Sequence, residues 1–208
     1  LVGILTIDDV IDILQQEADE DIKRLGGVGD EEISDTVLTA ARSRFSWLLI
    51  NLATAILASC VIGLFDATLE QMVALAVLMP IVASMGGNAG TQTLTVAVRA
   101  LAMKELTPTN AARVIGKEAL VGVFNGVLFA GLIGGVAWFW FGNSALGVVI
   151  GMAMIVNMFV AGVAGTTIPL ALNKFGIDPA VASSVFLTTI TDVVGFFVFL
   201  GLAALFLF

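Results

Sequence analysis

Asp192 is the only ionisable side chain in the 28 residues 180–207. A helix of that length measures about 42 Å, more than the roughly 30 Å hydrocarbon core of a bilayer. The carboxylate is therefore expected near mid-membrane, where a charge costs roughly 2.5–3.5 kcal/mol on insertion scales. Thr188 and Ser184 lie one and two turns earlier on the same helical face, and Gly195 follows about one turn later. Two hydroxyls and a carboxylate in one stripe predict a wet path or a cation site. The plain alternative is a neutral Asp hydrogen-bonded to a neighbouring helix.

A second group of polar residues runs through Met85-Gly86-Gly87-Asn88-Ala89-Gly90-Thr91-Gln92-Thr93-Leu94-Thr95, preceded by Pro80. Gly-rich backbone after a proline predicts a broken span, tolerated at membrane depth only when buried in protein or lining a cavity. Close helix packing explains the glycines. It does not explain Asn88, Thr91, Gln92 and Thr95 together.

The chain has no His and one cysteine, Cys60. Zinc and iron sites of the usual ligands are thereby disfavoured, and an oxygen-built site for a hard cation such as magnesium or calcium is favoured. One carboxylate is a poor cage for a divalent ion, and magnesium dehydrates reluctantly, so a hydrated ion fits better. If two chains met with their last helices at a two-fold axis, two Asp192 side chains would face one ion and repel anions. Asp192 is expected to be the only acid deep in the membrane.

A further set of acids, Asp8, Asp9, Asp12, Glu17, Glu20 and Asp21, lies on two consecutive helical stretches. A solvated face is the ordinary reading of such a run. Asp178, in a loop at the foot of the last span, strengthens the metal reading: facing acids repel when bare and close together around cations. No nucleophile–base pair or phosphate loop is present, and Gly86–Gly90 follows no soluble strand. The chain is not expected to be an enzyme.

These residues need elements to hold them. With 59% hydrophobic and 12% charged residues, and a mean hydropathy of +1.05, the fold class is an all-α polytopic membrane protein. Eleven of the seventeen acids precede residue 36, which predicts an acidic head suited to small cations and not to nucleic acid. Residues 1–7 read as a short strand and Asp8-Asp9 as a helix start, together the tail of a larger α/β domain. The missing initiator Met leads to the same expectation of a piece of a longer protein. Another helix should run from about Ser34 into the membrane. Spans are expected at 45–65, 72–101, 119–141, 146–172 and 180–207, with Lys104–Glu118 a polar loop that holds Thr107-Pro108 and an amphipathic helix start.

All nine bases fall on one side of a five-span layout, and the hairpins 66–71 and 142–145 carry none. The positive-inside rule then puts the N-terminus in the cytoplasm and the C-terminus outside, in a cell (inner) membrane.

Pro80–Leu101 (PIVASMGGNAGTQTLTVAVRAL) and Thr188–Ala203 (TTITDVVGFFVFLGLA) closely resemble the MgtE family of magnesium channels and transporters. Leu1–Leu14 (LVGILTIDDVIDIL) resembles the closing strand and helix of a CBS domain. The resemblance implies residues 1–16 as a CBS remnant, 17–44 as an acidic connecting or plug helix, and 45–208 as the transmembrane domain. It implies five transmembrane helices per subunit and a homodimeric pore, lined mainly by the second and fifth helices. Mg2+ would be both cargo and regulator, alongside other divalent cations, with no covalently bound group. The pore positions would be Asp192, Thr188, Ser184, Asn88, Thr91 and Thr95. The regulatory acids would be Asp178, Asp8, Asp9, Asp12, Glu17, Glu20 and Asp21. The competing reading is an ion-coupled carrier of divalent cations (Mg2+ or Co2+) with Asp192 as relay, disfavoured by the lack of a His or a second buried acid.

Overall fold

The computed structural model describes residues 34–208 without a break and, before them, residues 7, 8, 10–13, 16, 20, 23 and 26–28. The expected strand at 1–7 falls almost wholly outside the described residues. Ile7, Asp8 and residues 10–13 are helical.

Six helices follow in order: α1 (Val37–Gly63), α2 (Asp66–Gln71), α3 (Val73–Ala102), α4 (Ala111–Phe141), α5 (Ser144–Lys174) and α6 (Pro179–Phe206). All but the short α2 are long and apolar enough to cross a membrane. Thr36 caps α1, its side chain accepting from Thr39 N. That helix runs unbroken into the first span, as the apolar spacing from Ile33 onward predicts. Gly142 closes α4 at φ 65°, a conformation that disfavours a side chain, and the Asn143 side chain then starts α5 by accepting from Leu146 N at 3.2 Å.

Burial is concentrated on α5, which packs against α3, α4 and α6, whereas α1 has α6 as its main neighbour. The α4–α5 hairpin is built on glycine. A Cβ on Gly126 would lie 2.9 Å from Ile155 Cα, one on Gly134 2.8 Å from the Gly147 oxygen, and one on Gly162 2.5 Å from the Glu118 oxygen. Backbone atoms cannot yield as side chains do, so the two helices approach this closely only without side chains there.

Two apolar cores result. One joins Leu75, Leu78 and Val82 of α3 to Leu146, Ile150 and Ala153 of α5 and Phe199 and Leu200 of α6; the other joins Leu94, Val98, Ala164, Ala180 and Leu187. Between them lies a middle band containing Gly86 and Gly90 on α3, Asn157 on α5, and Thr191, Asp192 and Gly195 on α6.

One expectation needs correction. The second span is not broken: α3 is helical from Val73 to Ala102 through Pro80 and every glycine. Pro80 removes one backbone donor, to the carbonyl of Ala76. Gly86 and Gly90 stay helical because they are the contact points on which Asn157 and Leu187 rest. Within Lys104–Glu118 the expected helix start is present. The loop ends at Asn110, whose Oδ1 accepts from Thr107 N at 2.8 Å and whose Nδ2 donates to the Glu105 carbonyl at 2.7 Å. The helix α4 begins immediately after, at Ala111.

Candidate functional site

Asp192 stands half-buried at the midpoint of α6. Among the described residues its carboxylate has no hydrogen-bond or ion-pair partner. Within this single chain, no described side chain of a neighbouring helix pairs with it. Earlier on the same face, the Thr188 hydroxyl donates to the carbonyls of Ser184 and Val185, each at 3.1 Å. Ser184 and Thr188 are half-buried, while Thr191 is fully enclosed and donates back to Leu187 at 3.1 Å.

On α3 the polar residues form a ladder. Asn88 Nδ2 donates to Ser84 Oγ at 3.4 Å, the Thr91 hydroxyl to the Gly87 carbonyl at 2.8 Å, and the Thr95 hydroxyl to the Thr91 carbonyl at 2.9 Å. Ser84, Asn88, Thr91 and Thr95 are all exposed. At about 100° per residue they share one face within about 60° of arc. The buried residues Val82, Gly86, Gly90, Thr93 and Ala97 occupy the opposite face. A membrane helix that buries its apolar side and exposes its polar side is inside out with respect to lipid.

The hydrogen-bond directions define the chemistry. Each threonine hydroxyl has committed its proton to its own helix and turns oxygen lone pairs outward. These hydroxyls on α3, and the hydroxyl and carboxylate of Thr188 and Asp192 on α6, offer acceptors. The water shell of a cation presents donors, so these acceptors complement a hydrated cation and not an anion.

The structure brings α3 and α6 together in the middle band. A Cβ on Gly90 would lie 2.8 Å from Leu187 Cδ1, and one on Gly195 2.8 Å from the Asn157 amide that also abuts Gly86. Residue numbers rise along α3 as they fall along α6, so the helices are antiparallel. Asn88 is two residues beyond Gly86 and Asp192 three before Gly195, which puts both at the same depth to within about one helical turn.

The expected regulatory acids divide. Asp9, Glu17 and Asp21 lie outside the described residues. Asp8 and Asp12 are exposed on helical backbone and Glu20 is half-buried. Among the described residues no three acids converge as metal ligands. Asp178 plays a structural part, since its Oδ1 accepts from Ala180 N at 2.9 Å and caps α6.

Glu118 is the residue that residue order alone misplaces. It lies in the second turn of α4 with its side chain only 12% exposed, paired with Lys117 at 3.3 Å. Thr93 on α3 donates to its Oε2 at 3.3 Å. It lines a cavity of about 220 Å3 with Thr93, Thr166 and Leu106. Asp192 is therefore not the only largely enclosed acid within the spans. Thr93 is on the buried face of α3, so Glu118 sits behind the polar ladder and not on it.

Five long apolar helices that carry a seam of unpaired acceptors define a multi-spanning helical membrane protein. Within that class, residues 79–202 match the family model MgtE, described as a divalent cation transporter. The chain belongs to this family. It is 40% identical over 207 residues to the magnesium transporter MgtE of Enterococcus faecalis. It is 36% identical to the proteins of the same name from Bacillus subtilis, over 208 residues, and Thermus thermophilus, over 213. In each comparison the match covers 100% of this chain and 46% of the relative. The chain thus spans about half the length of these relatives.

Proposed function

We propose that this chain conducts Mg2+ across the cell membrane into the cytoplasm along a path lined by α3 and α6, with Asp192 as its central cation site. The observation that carries this reading is the half-buried Asp192 carboxylate, which has no partner among the described residues and lies inside a membrane helix. An unpaired charge there is expensive, and a passing cation offsets it. The relatives' names, magnesium transporters all, give the ion. The outward lone pairs of Thr91, Thr95 and Thr188 suit a hydrated one.

The exposed polar face of α3 supports a homodimer, since a second copy would remove it from lipid and place two Asp192 carboxylates across one axis. Asp178 and the head acids Asp8, Asp9, Asp12, Glu17, Glu20 and Asp21 would then be the regulatory set, closing the path when cytoplasmic Mg2+ screens them. This orientation has the N-terminus in the cytoplasm and the C-terminus outside.

A carrier reading has one observation in its favour, the largely enclosed second acid Glu118. Its partners Lys117 and Thr93 hold it away from the polar ladder, so a relay between the two acids lacks a route. Proteoliposome uptake of Mg2+ by Asp192→Ala and Asp192→Asn tests the assignment. Both variants should lose uptake, and uptake at the unsubstituted rate in either would sink it. Unitary currents under voltage clamp support the channel; slow, saturable flux coupled to another ion supports the carrier.

A further inference from the structure

Asn157 is fully buried in the middle band, and the ion path makes no use of it. Its Nδ2 donates at 2.8 Å to the Val82 carbonyl on α3. A carbonyl can only accept, so the amide nitrogen must be the atom facing it. Asn157 Oδ1 has no hydrogen-bond partner among the described residues. The same amide fills the space that side chains on two other helices would need. A Cβ on Gly86 would lie 2.7 Å from Asn157 Cγ, and one on Gly195 2.8 Å from its Nδ2. One side chain of α5 is thus in contact with both path helices at one level.

Packing alone does not call for an amide here. An apolar side chain of similar size would fill the volume and leave no orphaned oxygen. Apolar contact is non-directional, however, whereas a hydrogen bond holds donor and acceptor within a few tenths of an ångström and a narrow angle. We propose that Asn157 is a positioning residue that sets the depth at which Asn88 on α3 stands relative to Asp192 on α6. The inference rests on reading those two residues as part of the ion path. Gly86 and Gly195 are the two seats of the strut, and Asp192 and Asn88 follow from them by three and two residues.

The test uses the full chain in proteoliposomes, with Mg2+ and Ca2+ fluxes measured separately and melting temperatures recorded in detergent. Asn157→Leu keeps the branched four-atom shape, with bulkier methyl ends, and removes the strut. It should still fold and melt cooperatively while Mg2+ flux falls at least about tenfold, because small misplacements of reacting or binding groups are felt that strongly. The ratio of Mg2+ to Ca2+ flux should fall with it. Gly86→Ala should lose both flux and melting temperature, and adding Asn157→Ala should restore the melting temperature by vacating the space the new methyl needs. Unchanged flux and ratio in Asn157→Leu overturn the proposal. So does a loss of flux that merely tracks the loss of folded protein at constant ratio. If Asn157→Leu does not fold, the Gly86→Ala and Asn157→Ala pair decides: no recovery in the double variant overturns the strut. Unchanged flux in Asp192→Asn would refute the path reading instead, and the melting temperatures of the glycine pair would still report on the strut.

Discussion

Replacing Asp178 by Asn and by Ala separates its two candidate roles, because Asn keeps the cap and loses the charge while Ala loses both. Asp178 Oδ1 accepts from Ala180 N at 2.9 Å, and Pro179 occupies the first turn of α6 behind it. Asn and Asp rank as near equals at this position, whereas Ala costs about 1 kcal/mol, within a range of roughly 0.5–2. One kcal/mol is about a fivefold change in the opening equilibrium of that turn. Hydrogen exchange of a peptide spanning 180–190 should therefore speed up about fivefold in Asp178→Ala and little in Asp178→Asn. Cytoplasmic inhibition reads the other role. If Asp178 helps close the path around Mg2+, Asp178→Asn should raise the half-inhibiting Mg2+ concentration at least about threefold, since removing one close charge partner is worth a kcal/mol or so. Exchange in Asp178→Ala that matches the unsubstituted protein refutes the cap argument. Unshifted inhibition in Asp178→Asn refutes the regulatory assignment and leaves Asp178 as a cap.

Gly122→Ala should destabilise the protein by about 1–3 kcal/mol, the range for overpacking, because the new Cβ meets the Met158 carbonyl oxygen and lies 3.1 Å from its carbon; a melting temperature at or above the unsubstituted value contradicts this. Thr95→Val preserves shape and removes an outward acceptor from the α3 ladder, so Mg2+ flux should fall several-fold with folding within about 0.5 kcal/mol of the original, and unchanged flux would take Thr95 off the path. Glu118→Gln keeps the shape of a group that lies behind the ladder, and Mg2+ flux should stay within about twofold, as for a group outside the reacting set. Abolished transport in that variant would revive the carrier.

Hydropathy over 20 or more residues is a strong signal, which is why the five spans and the entry of α1 from the head are readable from residue order. The polar stripes are readable too, since Ser184, Thr188 and Asp192, and likewise Asn88, Thr91 and Thr95, recur at helical spacing. What misleads is local chemistry that tertiary contacts override. Pro80 and five successive residues rich in glycine suggest a break, yet Gly86 and Gly90 are where α5 and α6 rest on α3, and contact keeps them helical. The charges of Arg113, Lys117 and Glu118 mark an amphipathic helix start, and the apolar span becomes legible only from residue 119. Glu118, Gly122 and Gly126 recur every four residues, so the stripe that meets α5 begins at the acid; that spacing is the available signal. Asn157 shares its four-residue spacing with Ala153, Ala161 and Gly165, a face of small residues in which one amide stands out. Its partner, a carbonyl 75 positions earlier, cannot be found from spacing at all.

The two faces of α3 bear on the choice between pore and carrier more directly than any single residue. A carrier that couples Mg2+ to a second ion needs groups that see both ions in turn, and the enclosed acids are Asp192 and Glu118. Between the ladder and Glu118 stands the buried face of α3, sealed where Gly90 meets Leu187 and where Gly165 of α5 meets Thr93, its Cβ position 2.9 Å from Thr93 Cβ. Opening that seam would separate α3 from α5 and pull Val82 away from Asn157. Motion along the exposed ladder disturbs none of these contacts. Hydroxyls bonded into their own helix keep their lone pairs outward whether or not an ion is present, and the surface they form changes little as an ion passes. On the function proposed above, a row of hydroxyl acceptors backed by a close-packed glycine seam fits passage of a hydrated cation past a standing site better than alternating exposure of a moving one.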